Sequence, residues 1–182
     1  MTDQDSATHA LIRAVAFAAT KHRDQRRKDA DASPYINHPI ALAHVLAFEG
    51  GVSDTPVLCA AVLHDTVEDT ATTFEELTAE FGSKVAGIVR EVTDDKTLEK
   101  QARKQLQIDH APHLSYEAKL VKLADKICNL RDILASPPAD WPTERKQAYF
   151  DWAKAVVAGL RGTNSALESA FDSVERRRPE LS

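Results

Sequence analysis

The sequence predicts an all-α fold, a helical bundle of about nine helices. Apolar residues recur at intervals of three and four, long strands rich in Val, Ile and Tyr are missing, and only 6 Gly and 8 Pro punctuate 182 residues. Leu11, Ala14, Val15 and Ala18 form the first stripe, within a helix from Ser6 to His22. Asn37 as N-cap, with Pro39 close behind, opens a second helix carrying Ile40, Ala43, Leu46 and Ala47 to a stop at Gly50-Gly51. Asp54 or Thr55, followed by Pro56, starts a third through Val57, Ala60, Ala61 and His64. Thr73 and Glu76 have capping-box spacing, Phe81-Gly82 ends that short helix, and Ser83 begins the next through Val85, Ile88, Val89 and Val92. Glu99 to His110 reads as a polar helix. Ser115 caps a long one whose apolar residues are Leu120, Leu123, Ala124, Ile127, Leu130 and Leu134. Pro137-Pro138 breaks the chain, and helices from Thr143 to Leu160 and Ser165 to Arg177 complete it.

Composition excludes several classes. A chain of 182 residues, 43% hydrophobic and 28% charged, reads as one domain with a substantial core. The longest apolar run, Val57 to Leu63, is seven residues, so no membrane span is expected. The acidic start Met1-Thr-Asp-Gln-Asp lacks the features of a signal peptide. Two cysteines, Cys59 and Cys128, are too few for a disulfide framework and read as reduced thiols in the cytoplasm. A formal charge of -5 argues against nucleic acid as partner. The oligomeric state is left open.

The informative segment is His64-Asp-Thr-Val-Glu-Asp69. Asp65 and Asp69 are four apart, as are His64 and Glu68, so one or two helical turns carry an imidazole and three carboxylates on neighbouring faces. Beside the run Val57 to Leu63 such groups are costly to desolvate unless a metal or bound cations compensate them. Imidazole mixed with carboxylate suits Mn, Fe, Zn or Mg. The competing reading is an ordinary helix end with solvated acids and an incidental histidine. Two distant residues shift the balance. His38 lies at a helix start in Tyr35-Ile-Asn-His-Pro39, and Asp125 sits within the apolar stretch Leu123-Ala-Asp-Lys-Ile127, where it needs a partner. Together His38, His64, Asp65 and Asp125 offer two imidazoles and two carboxylates, leaving octahedral positions for water and a substrate oxygen.

The order His38, His64-Asp65, Asp125 resembles the H…HD…D pattern of the HD-superfamily metal-dependent phosphohydrolases. Arg27-Lys28, Pro34-Tyr-Ile-Asn-His-Pro39, Leu63-His-Asp-Thr-Val-Glu-Asp69, Thr93-Asp-Asp-Lys96 and Lys122-Leu-Ala-Asp-Lys-Ile-Cys-Asn-Leu-Arg131 resemble, more narrowly, the hydrolase domain of RelA/SpoT-type stringent-response enzymes. The likeness runs from about Ala7 to about Ser173. With no synthetase region after it, the chain is similar to stand-alone small alarmone hydrolases of the metazoan-homologue type, one HD-type domain over residues 1–182. The resemblance implies removal of pyrophosphate from the 3′ position of ppGpp or pppGpp, with one Mn²⁺ ion held by His38, His64, Asp65 and Asp125. It also implies that Glu68 and Asp69 orient or activate the attacking water.

A highly anionic nucleotide needs a basic lining, and Arg23, Arg26, Arg27 and Lys28 form the densest early cluster. The resemblance singles out Arg27 and Lys28 as nucleotide contacts, with Asn129 at the sugar or phosphate and Tyr149 beside the base. Without it, these are a solvated helix terminus, a surface amide and a core aromatic. Lys96, Lys100, Arg103 and Lys104 read mainly as a solvated face, and Phe150 and Trp152 as core. His9, His22, His44, His110 and His113 read as surface or satisfied core residues, and Cys59 and Cys128 as packing. Two departures, Asp31-Ala-Ser33 before Pro34 and Cys128 where histidine is common, touch the pocket's shape and not the metal set. Two rival functions remain. One is a phosphatase acting on another nucleotide such as NADPH. The other is a non-catalytic alarmone-binding module, against which the complete set of acids argues.

Overall fold

A computed structural model of the protein describes residues 3–178. Met1 and Thr2 of the acidic N-terminus, and positions 179–182 of the expected 1–182 domain, lie outside the described residues. Helices follow one another as α1 (Asp3–Lys21), α2 (Asn37–His44), α3 (Thr55–Leu63), α4 (Thr66–Asp69), α5 (Phe74–Val92), α6 (Lys100–His110), α7 (Tyr116–Ala135), α8 (Thr143–Ala158) and α9 (Ser165–Glu175). No strand occurs among the described residues, only an isolated bridge between Arg26 and Pro34 in the loop after α1. None of the described helices is long and apolar enough to cross a membrane.

The apolar run Val57 to Leu63 becomes α3, which contacts α1, α2, α5 and α7. A helix enclosed this way needs apolar residues all round, and six of its nine residues are buried. α7 supplies a further large share of the core, with Leu120, Leu123, Ile127 and Leu130 fully buried and Phe171 of α9 lying in the same cluster. Because α3 is the centre of the bundle, its C-terminal end delivers His64 to a protected interior point, and α7 brings Asp125 towards it.

The expected caps form at three helix starts. Asp54 Oδ1 accepts from the Val57 amide at 3.1 Å, Thr73 Oγ1 from Glu76 at 3.1 Å, and Ser115 Oγ from Ala118 at 3.2 Å. Asn37 does not act as the cap expected of it. It is the first helical residue, Ile36 precedes it, and no side chain caps the helix. Carbonyls of the preceding loop do the work instead: Asn37 N–H donates to Pro34 O at 3.1 Å and His38 N–H to Tyr35 O at 3.0 Å. After His44 the helix widens into a π turn, Val45–Glu49, closed by Gly50 N–H to Val45 O at 2.9 Å. Leu42, Val45 and Leu46 are buried, while Ile40, expected in the stripe, lies on the opposite face of α2 from Leu42 and is 43% exposed. The break expected at Gly82 is present as a kink with φ 83° inside α5.

Candidate active site

His38 and His64 are both buried, and with Asp65 they each offer a ligand atom such that all three atoms lie within 4.8 Å of one another. The imidazole of His64 is oriented from behind, its Nδ1 2.8 Å from the Ala61 carbonyl, so Nδ1 carries a proton and Nε2 is the nitrogen turned to the carboxylates, where it holds either a proton or an ion. That Nε2 is 2.9 Å from Asp65 Oδ2 and 4.0 Å from Asp125 Oδ1, while His38 Nε2 is 3.3 Å from Asp125 Oδ1. The four residues come from the start of α2, the α3–α4 junction and the middle of α7. The chain stops being helical at His64-Asp65 and restarts at Thr66, which turns Asp65 back towards its neighbour. Tyr35 Oη donates to Asp65 and Asn129 Nδ2 donates to Asp125 Oδ1 at 2.6 Å, so each carboxylate is steered by a second residue.

Electrostatics mark the cluster as a cation site. Burial disfavours a charged His64, yet Asp65 and then Asp125 outweigh it and push the imidazole up to about 9. Burial likewise acts to raise Asp65 and Asp125, but His64 beside the first and Lys126 beside the second hold both carboxyls well below their usual range. Two half-buried carboxylates thus face two imidazoles, with Lys126 on the outer oxygen of Asp125, and a proton or a divalent ion between them suits this arrangement. The donor set, two imidazole nitrogens and two carboxylates, fits an ion of the Mn, Fe, Zn or Mg type. Lys122, buried three residues before Asp125, donates to the Val92 carbonyl at 3.0 Å, and burial followed by Lys126 lowers its pKa.

The two acids of α4 are held differently. Glu68 Oε2 accepts from the Asp94 amide at 3.1 Å, and burial raises its pKa despite that bond. Asp69 receives Lys96 Nζ on Oδ1 and the Gln25 amide on Oδ2 at 2.9 Å. Lys96, expected to lie mainly on a solvated face, is therefore tied to the acids, and it is also 3.9 Å from Glu68. Its place in Thr93-Asp-Asp-Lys96 was the available signal.

Two connected clefts open on these groups. One of about 680 Å³ is lined by Arg27, Lys28, Asn129, Tyr149, His38 and Asp69 among others. A smaller one of about 180 Å³ reaches His64, Asp65, Glu68, Asp125 and Lys122. All four residues proposed as nucleotide contacts thus face the larger cleft. Arg27 is engaged there by Asp132, and its guanidinium lies 5.8 Å from the Tyr35 ring centroid. Phe150 is fully buried, as expected. Trp152 packs against the core as expected but also lines the smaller cleft, where its indole donates to the Lys104 carbonyl at 3.0 Å and Lys126 Nζ lies 4.3 Å from its ring centroid. The polar tip and the buried cations, invisible in a pattern of aromatic spacing, draw it to the site. Cys59 and Cys128 are buried and burial raises their thiols to about 11 and about 12, which suits packing and not nucleophilic use.

Three comparisons bear on this arrangement. The model of the HD domain matches residues 14–156. The guanosine-3′,5′-bis(diphosphate) 3′-pyrophosphohydrolase MESH1 of Xenopus tropicalis is 60% identical over 162 residues, 89% of this chain and 90% of that protein. Its Homo sapiens counterpart is 55% identical over 168 residues, covering 92% and 94% respectively. A solved structure of a metazoan ortholog of SpoT, described as hydrolyzing ppGpp and playing a role in starvation responses, superposes with a TM-score of 0.90 at 51% identity. That match spans 93% of this chain and 95% of the other. The cluster of His38, His64-Asp65 and Asp125 and these matches agree, and the chain belongs to the HD domain family of hydrolases.

Proposed function

We propose that this chain is a metal-dependent 3′-pyrophosphohydrolase of guanosine-3′,5′-bis(diphosphate), converting ppGpp to GDP, or pppGpp to GTP, plus pyrophosphate. The observation that carries the reading is the meeting of the His38, His64, Asp65 and Asp125 cluster with Glu68 and Asp69 at the floor of a basic, aromatic-walled cleft. The pyrophosphohydrolases named above, aligned over nearly their whole length, support the choice of substrate. His38, His64, Asp65 and Asp125 hold one divalent ion, Mn²⁺ in this proposal. When bound, the ion supplies Lewis-acid polarisation of a phosphoryl oxygen and acidifies water.

The chain's own residues do the rest. Asp69, with Lys96 on one oxygen and Gln25 on the other, accepts a proton from the attacking water, and Glu68 orients that water from the α4 side. The water oxygen bonds to the phosphorus next to the ribose 3′ oxygen, the P–O3′ bond breaks, and the 3′ oxygen leaves as the hydroxyl, taking a proton from solvent while Asp69 gives the one it accepted back to solvent. Arg27 and Lys28 offset the charge of the phosphates, Asn129 contacts the sugar or phosphate, and Tyr149 packs beside the base. We take residues 1–182 as one HD-type domain, at work in the cytoplasm, where two buried free thiols stay reduced.

Protein stripped of metal and resupplied with Mn²⁺ is expected to release pyrophosphate from ppGpp, and Asp69→Asn to abolish turnover with nucleotide binding retained. Phosphate release from NADPH with ppGpp untouched overturns the substrate assignment. Binding of ppGpp without turnover in excess metal overturns the enzymatic reading in favour of a binding module.

A further inference from the structure

Behind Asp69 lie two residues for which the sequence offered no role. The sequence places His22 among surface or satisfied core histidines. It is 2% exposed, its Nδ1 is 2.6 Å from Gln25 Oε1, and its Nε2 has no hydrogen-bond partner among the described residues. The other end of the same Gln25 amide, Nε2, is the group that donates to Asp69 Oδ2 at 2.9 Å. We propose that His22 and Gln25 are positioning residues that set the direction of the Asp69 carboxylate. This rests on the reading of Asp69 as the proton acceptor.

The chemistry of the amide carries the argument. A carboxylate only accepts, so Gln25 must turn its NH₂ to Asp69 and its oxygen away. That oxygen also only accepts, so His22 must carry its proton on Nδ1. A flipped amide would oppose its oxygen to the carboxylate and its NH₂ to the Nδ1–H, two unfavourable meetings at once. Asp69 thus demands one amide orientation, and the Nδ1–H tautomer of His22 backs it from the other end, so that a flipped amide is disfavoured at both.

The frame around the pair is rigid. Gln25 N–H donates to His22 O at 2.9 Å, and Tyr35 N–H donates to Gln25 O at 3.1 Å. The His22 ring also lies against Tyr35, with centroids 4.8 Å apart and planes at 34°, and Tyr35 Oη donates to Asp65. The loop after α1 thus orients one oxygen of Asp69 and one oxygen of Asp65 together. Lys96, 27 residues further along the chain from Asp69, takes the other Asp69 oxygen. A carboxylate gripped at both oxygens has one orientation towards a water beside it.

The test compares His22→Ala, His22→Asn, Gln25→Ala and the double alanine variant by steady-state pyrophosphate release from ppGpp with Mn²⁺. Each single alanine variant is expected to lower kcat by about 10- to 100-fold with KM within about twofold. The double variant should be no slower than Gln25→Ala, because the two residues act in series. His22→Asn, whose amide presents an N–H near the place of Nδ1, should recover most of the loss. In nitrogen NMR of the wild type, His22 should be the Nδ1–H tautomer, a readout that needs no activity. Additive losses, a change confined to KM, an unchanged kcat in Gln25→Ala, or the Nε2–H tautomer each overturn the inference. Gln25 is half-buried at the surface, so its variant carries the test even where His22→Ala fails to fold. A wild type inert to ppGpp overturns the functional reading itself, which is a different result from an active wild type indifferent to Gln25→Ala.

Discussion

Asp65 is steered by Tyr35 Oη and sits 2.9 Å from His64 Nε2, so the phenol decides which carboxylate oxygen faces the cluster. Burial, then the charge of Asp65, holds the Tyr35 hydroxyl protonated far above its ordinary range, and it remains a donor at any working pH. Tyr35→Phe keeps the ring against His22 and removes only that donor. It is expected to weaken Mn²⁺ binding by about 10- to 100-fold, read by calorimetric titration, with the melting temperature of the metal-free protein little changed. Unchanged affinity would sink the idea that Tyr35 orients a metal ligand. Which of these residues were legible in the sequence follows from how their chemistry is encoded. His64, Asp65, Glu68 and Asp69 are adjacent, and an acid inside an apolar stretch, Asp125, draws notice without any structure. His22 and Gln25 do not, and Lys96 does so only through the resemblance of Thr93-Asp-Asp-Lys96. Gln25 meets Asp69 across 44 residues and Lys96 meets it across 27, through loops with no periodicity to project the contact.

Elements were most readable where a side chain ends a helix. Asp54, Thr73 and Ser115 satisfy orphan amides, and that demand is local. The start of α2 and the π turn were less so, because the amides of Asn37 and His38 are satisfied by main-chain carbonyls and the extra residue of a π turn has no residue-type signature. The π turn earns its place by carrying Glu49 to α7, where Arg131 forks onto it at 2.6 and 2.8 Å. Arg131 lowers the Glu49 pKa below 4.5, first by hydrogen bonding and, against a smaller burial effect, by charge. A depressed carboxylate stabilises the fold above its unfolded pKa, and that contribution is lost as pH falls through the folded value. The two side chains are 38% and 33% exposed, so solvent screening limits the pair to about 1 kcal/mol or less. Glu49→Gln is therefore expected to be less stable than wild type by up to about that amount at pH 7, with the two urea curves converging as pH falls through the depressed folded value. A gap that persists or widens in acid would show that the loss is one of packing, not of charge.

At the scale of the whole molecule, the fold brings together groups that have no reason to be neighbours in an unfolded chain. His38 at the start of α2, His64-Asp65 after α3 and Asp125 in α7 are separated by long stretches of sequence, and α3 and α7 both run through the core. An ion that needs all of them binds the native state far better than the unfolded one, so ion binding is folding free energy. At about 1,000 times its dissociation constant a ligand adds about 4 kcal/mol, and for a chain of this size each kcal/mol raises the midpoint by about 2–4 °C. Mn²⁺ is therefore expected to raise the melting temperature of chelator-treated protein by roughly 10 °C, increasing with the logarithm of free metal. Asp125→Asn should flatten that dependence, since it weakens the ligand set while leaving α7 its packing residues. Part of the formal charge of -5 belongs to these acids, so relief of their mutual repulsion is included in the same shift. A melting temperature indifferent to Mn²⁺, or an Asp125→Asn variant as responsive as wild type, would remove Asp125 and its neighbours from the metal site.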